Sequence, residues 1–218
     1  MSGSSTLVLI RHGEAQYRTA DGAYLADGAL TDRGIAQAQA LGESLRGLAI
    51  EKAWTSPCRR ARQTAAIAGL DAVMHPGLAE WRYRPYAVAL EAGLPEADDP
   101  LWIWQQATGP QRNAPETLDQ LVHRIDAVLA YVTGRISDGA VTAIVAHGHL
   151  LRVLTMRWLG LLASTAAYLQ LAPASISHLT ESSGRRFLTS WNHAPWQAAA
   201  QAAERRETGM LIASSPAY

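Results

Sequence analysis

An arginine and a histidine close an aliphatic run, Leu7-Val8-Leu9-Ile10-Arg11-His12-Gly13-Glu14, where a buried strand would release the chain toward a ligand. A second apolar run, Val141 to Ala146, ends in His147-Gly148-His149. As strands of one sheet, the two runs would bring two imidazoles to one edge. A neutral imidazole can attack phosphorus, and a phosphorylated histidine can pass the group to water or to another acceptor. Such transfer asks mainly for positioning and for cations on the equatorial oxygens, which arginines and a second, protonated histidine can supply. Arg11 is one such cation; Arg59, Arg60 and Arg62 offer others just after Ser56-Pro57. Glu80, beside Trp81, is the candidate carboxylic acid for the leaving oxygen, with partial desolvation expected to raise its pKa.

The elements that must position these groups follow from periodicity and punctuation. Thr6–Ile10 reads as a strand buried on both faces, and residues 13–30 as a glycine-containing loop. Thr31 is a plausible N-cap for a helix from about Asp32 to Arg46, with Ile35, Ala38, Leu41, Leu45 and Leu48 at helical spacing. Lys52–Thr55 reads as a short strand. Ser56-Pro57 signals a helix start, and Cys58–Ala68 should be helical. Residues 71–74 offer another short strand. From about 76 to 115 the chain is rich in Pro, Gly and Trp, which predicts a cap of short helices and loops over one end of the sheet. A helix is expected from Glu116 to about Ile136, then the 141–146 strand, then a helix over Leu150–Leu159. Ser175–Thr180 and Phe187–Trp191 should pair as a hairpin across Ser182-Ser183-Gly184. Strands alternating with helices imply an α/β fold with a mostly parallel sheet and ligands beyond its carboxyl edge. The helix start at Ser56–Arg60 adds unpaired N–H groups that favour an anion there.

Composition bounds the rest. The 218 residues suffice for one sizeable core, so residues 1–218 are expected to form a single domain. Nineteen basic and nineteen acidic residues cancel, and no basic stripe suggests nucleic acid. No run approaches the ~20 apolar residues of a membrane span. The single cysteine, Cys58, excludes an internal disulfide and fits a reducing compartment, so a cytoplasmic location is expected.

Taken in order, Arg11-His12-Gly13-Glu14, Leu30-Thr31-Asp32-Arg33-Gly34, Ser56-Pro57-Cys58-Arg59-Arg60-Ala61-Arg62-Gln63-Thr64-Ala65, Leu78-Ala79-Glu80-Trp81, Pro115-Glu116-Thr117 and Ala146-His147-Gly148-His149 resemble the histidine phosphatase superfamily, the phosphoglycerate mutase-like proteins. The resemblance spans roughly residues 6–192. It implies a three-layer α/β/α sandwich with a mainly parallel sheet, one antiparallel edge strand, no metal and no cofactor. It makes His12 the nucleophile, places Arg11, Arg60 and His147 on the phosphoryl oxygens, and matches Glu80 to the general acid. Two departures stand out. Tyr17-Arg18 occupies the place where relatives often carry an Asn, and Arg82 and Arg84 lie in a segment where relatives show Tyr-Gly. Arg18, Arg82 and Arg84 are therefore candidate substrate contacts, with solvated surface residues as the plain alternative for the last two.

The expected reaction is hydrolysis of a small phosphomonoester, the partner being a small phosphorylated metabolite. Oligomeric state stays open, with a homodimer among the options. A phosphoglycerate mutase-like phosphotransferase, an inactive phosphate-binding module and a zinc hydrolase built on His12, Glu80, His147 and His149 are the alternatives. His149, Glu14, Arg59 and Arg62 are expected to serve structure.

Overall fold

Strand β1 (Ser5–Arg11) lies at the heart of a six-stranded sheet whose order is β3-β2-β4-β1-β5-β6. The structure is a computed structural model and describes residues 4–22, 25, 27–82, 104 and 116–197. The other strands are β2 (Ile50–Thr55), β3 (Ala72–Met74), β4 (Val141–Ala146), β5 (Ile176–Ser182) and β6 (Arg185–His193). β1 pairs in parallel with β4 from Thr6↔Val141 to Arg11↔Ala146, so the two apolar runs of the sequence end side by side. Both are aliphatic throughout because both faces are covered.

Alternate residues of each strand feed different layers. Leu7, Leu9 and Ile144 face one core, formed with α3 (Leu118–Thr133) and α4 (Gly148–Leu159). Val8, Ile10, Ala143 and Val145 face the other, formed with α1 (Asp32–Leu45) and α2 (Arg59–Ile67). The result is the expected three-layer α/β/α sandwich.

Several boundaries move for local reasons. The α2 helix begins at Arg59, one residue after the expected Cys58: Cys58 holds the N-cap backbone conformation without a side-chain cap, while the Ser56 hydroxyl accepts from the Cys58 N–H ahead of the helix. The α3 helix begins at Leu118, not Glu116, because Thr117 and Gln120 form a reciprocal capping box. Glu116 is thereby freed to bind Arg124. The antiparallel strand also differs from expectation. It is β5, antiparallel to both β1 and β6, and it is internal because the hairpin adds β6 outside it. That hairpin turns at Ser183 and Gly184, both at positive φ as a tight two-residue turn requires. Of the expected cap, residues 76–82, with a 3-10 turn at Pro76–Leu78, and Trp104 are described, and the rest lies outside the described residues.

Candidate active site

The carboxyl ends of β1, β2 and β4 deliver the chemistry. The backbone of His12 is pinned from two sides, its N–H donating to Ala146 O and its carbonyl accepting from Ala174 N. His12 Nδ1 lies 2.7 Å from the Gly13 carbonyl. A carbonyl only accepts, so that contact assigns the ring proton to Nδ1 and leaves the lone pair on Nε2. Arg60 Nε donates to that Nε2 at 3.2 Å. Burial, then His147, Arg11 and Arg60, hold the His12 pKa well below the ordinary histidine value. The imidazole is neutral, as attack on phosphorus demands.

His147 N-caps α4 through its backbone, with its ring centroid 5.1 Å from that of His12. Its Nε2 lies 2.7 Å from Ser56 Oγ, and its buried Nδ1 has no hydrogen-bond partner among the described residues. Burial pushes its pKa down to about 3; Glu80 opposes the shift, while Arg60 and Arg11 add to it. The sequence-based expectation of a protonated second histidine is therefore corrected. His147 is neutral in this site and can act as a hydrogen-bond donor, not as a cation. Cationic charge comes from Arg60, which is buried, and from Arg11, whose guanidinium lies against Gly148 and donates to Leu171 O through Nη1. Arg11 Nε is buried and lacks a hydrogen-bond partner among the described residues.

Glu80 also departs from expectation. Its carboxylate accepts from Trp81 N at 2.9 Å and, at the start of α4, from Leu150 N at 3.1 Å. Its Oε2 stands 3.6 Å from His149 Nδ1. Burial alone would raise the pKa, as the neighbouring tryptophan suggested. Hydrogen bonding from His149, the nearby His147 and the Trp81 amide win, and the group lies well below the usual carboxylate range. Glu80 is an anion at the positive end of a helix.

Residues 7–194 match the histidine phosphatase superfamily (branch 1). The chain belongs to this superfamily. A 2,3-bisphosphoglycerate-dependent phosphoglycerate mutase of Beijerinckia indica is 29% identical over 181 residues, covering 76% of this chain and 86% of the relative. The solved structure of the Mycobacterium tuberculosis open reading frame Rv3214 superposes with a TM-score of 0.71 at 28% identity, covering 88% of this chain and 98% of that one. The alpha-ribazole phosphatase of Shigella flexneri gives 0.69 at 25% identity, covering 87% and 96%. This histidine phosphatase superfamily member thus has structural or sequence neighbours named for both hydrolysis and mutase chemistry.

Of the residues singled out in the sequence, the histidine phosphatase fold gathers Arg11, His12, Arg60, Glu80 and His147 at one sheet edge. Arg18 is exposed and donates to Gly22 O. Its neighbour Tyr17 instead reaches the site, its ring 5.7 Å from the Arg60 guanidinium. Arg82 is exposed; its backbone N–H donates to Glu116, whose carboxylate is held by Arg124. Arg84 lies outside the described residues. Glu14 fixes the loop after His12, accepting from Thr31 Oγ1 and Arg33, and Arg59 and Arg62 are exposed. Among the described residues no cluster of metal-ligating side chains forms, and no helix is long and apolar enough to cross a membrane. Sequence reasoning missed two buried hydroxyls. Ser56, part of the Ser56-Pro57 helix-start signal, also bonds His147. Thr64 Oγ1, four residues after Arg60, accepts from Gly13 N at 3.0 Å and donates to Arg60 O.

Proposed function

We propose that this protein is a metal-independent phosphatase that hydrolyses a small phosphomonoester through a phosphohistidine on His12. One observation carries the reading: His12 is held with its proton on Nδ1 and its Nε2 lone pair turned toward a buried arginine. In the first step Nε2 forms a bond to phosphorus while the ester P–O bond breaks. Arg60 and Arg11 balance charge on the equatorial oxygens, and neutral His147 donates a hydrogen bond. The ester oxygen leaves with a proton routed through Glu80. In the second step water attacks the phosphohistidine, Glu80 accepts the water proton, and the P–N bond breaks to restore the imidazole. The single cysteine is compatible with action in the reducing cytoplasm.

The protein treated with p-nitrophenyl phosphate should release phosphate in the presence of a chelator. Quenched into alkali, it should carry phosphate on the peptide that contains His12. His12→Ala should abolish both signals, whereas turnover without any trapped phosphohistidine would rule out the covalent route. The likeness to a bisphosphoglycerate-dependent mutase favours a second reading, transfer between hydroxyls of one phosphorylated acid. It predicts isomerisation of a phosphoglycerate, stimulated by a bisphosphate primer, with little release of free phosphate.

A further inference from the structure

We propose that His149 is a positioning residue for proton transfer, acting through Glu80: it supplies the Glu80 carboxylate with the proton that Glu80 passes to the leaving oxygen. The inference rests on the phosphohistidine reading and adds to it the route of the proton. Glu80 alone is poorly equipped to be an acid. Two backbone N–H groups, from Trp81 and Leu150, and the start of α4 stabilise its anion, so at rest it holds no proton to give. The acid must be given its proton during the step itself, and among the described residues His149 is the side chain placed to give it. His149 Nδ1 faces Glu80 Oε2 at 3.6 Å, longer than a direct hydrogen bond but a distance that catalytic contacts often shorten when substrate is bound. Both side chains are about one-fifth exposed, so the imidazole can exchange protons with water while still touching the site. Its ring also lies near Trp81 and Trp104, edge-on and tilted, at centroid distances of 6.3 and 6.1 Å. Among the described residues, the ionisable groups acting on this corner include His147 at the helix start, Arg152 on α4 with its guanidinium over Trp104, Arg11 from β1, and Arg124 from α3, which the Glu116 carboxylate pairs.

The proton balance closes. His149 Nδ1 first gives its proton to Glu80 Oε2, leaving the imidazole neutral with its proton on Nε2, and the Glu80 carboxyl then passes that proton to the ester oxygen as the P–O bond breaks. When water attacks the phosphohistidine, its proton returns by way of Glu80 to His149.

Leaving-group dependence tests the route. p-Nitrophenolate departs without help, whereas phenolate, as basic as a tyrosine side chain, gains from a proton. His149→Asn keeps an N–H donor close to the place of Nδ1 but cannot pass a proton on. In this variant kcat/KM for phenyl phosphate should fall about tenfold or more, with that for p-nitrophenyl phosphate staying within about twofold. Adding His149→Asn to Glu80→Gln should cost nothing further, since one acts through the other. Equal losses on both esters, wild-type rates on phenyl phosphate, or additive losses in the double variant would each overturn the proposal. The wild-type protein would still trap phosphate on His12 in every such case, which separates this failure from failure of the covalent reading.

Discussion

Ser56 illustrates how one buried hydroxyl joins two functional segments. It is fully buried, accepts the Cys58 N–H at 3.2 Å and bonds His147 Nε2 at 2.7 Å. His147 Nδ1 already lacks a hydrogen-bond partner among the described residues, so Ser56 supplies its imidazole's hydrogen bond. Ser56→Ala would strand both a backbone donor and a buried ring nitrogen. Leaving such groups unsatisfied costs about 1–3 kcal/mol. Urea unfolding should therefore show a loss of that size, and kcat/KM for p-nitrophenyl phosphate should fall with it because the ring loses its fixed orientation. Unchanged stability and turnover would mean that the hydroxyl does neither job. The same scale shows where residue identity misleads. Glu80 beside a tryptophan suggested a raised pKa, but the Leu150 amide that anchors it comes from an element 70 residues away, which nothing in the local sequence announces.

At the scale of elements, the loop that follows β1 is docked onto the start of α1. Thr31 caps that helix through Gly34 N, and Gln37 accepts from Glu14 N, so the segment carrying His12 cannot move independently of α1. Contact here is backbone on backbone: a Cβ at Gly34 would stand 1.9 Å from Glu14 O. Gly34→Ala must push the loop away, at an overpacking cost of about 1–3 kcal/mol. Since that loop positions Gly13 O, the anchor of His12 Nδ1, the variant should lose kcat/KM beyond what its melting temperature explains; retention of full activity would show that the docking is incidental. Elements of this kind were largely legible. The burial of β1 and β4 on both faces, the Thr31 cap and the 141–146 strand stand in the sequence because each is set by a local apolar run or by capping. The internal place of β5 and the approach of Tyr17 to Arg60 were not. They depend on pairing partners far along the chain, and a residue such as Tyr17 carries no local sign of which ring or cation it will meet.

Across the whole molecule, folding holds neutral histidines beside Arg60 and Arg11, and this ties stability to pH. His147 is fully buried with its pKa pushed down to about 3, and His12 is shifted the same way by burial. An unfolded histidine titrates near 6.5, so between pH 6.5 and 3 the unfolded chain binds more protons than the native one at these positions. Stability then rises with pH through this window; it is fully present above about 6.5 and is lost as the pH falls. At pH 5 keeping His147 neutral costs about 2 kcal/mol relative to pH 7, a large share of the 5–15 kcal/mol typical of a folded domain, and His12 adds in the same direction. His75 and His178 are shifted in the same direction and add to the slope. The lowered carboxylates Glu80 and Glu116 lose their contribution only at more acidic pH, leaving the interval from 7 to 5 to the histidines. Urea unfolding at pH 7 and pH 5 should show the acid loss, and His147→Gln should make it smaller by about 2 kcal/mol, since glutamine does not titrate while His75 and His178 remain. An unchanged difference between the two pH values in that variant would mean that His147 accepts its proton in the folded protein, and the neutral pair at the sheet edge would have to be replaced by an imidazole–imidazolium pair.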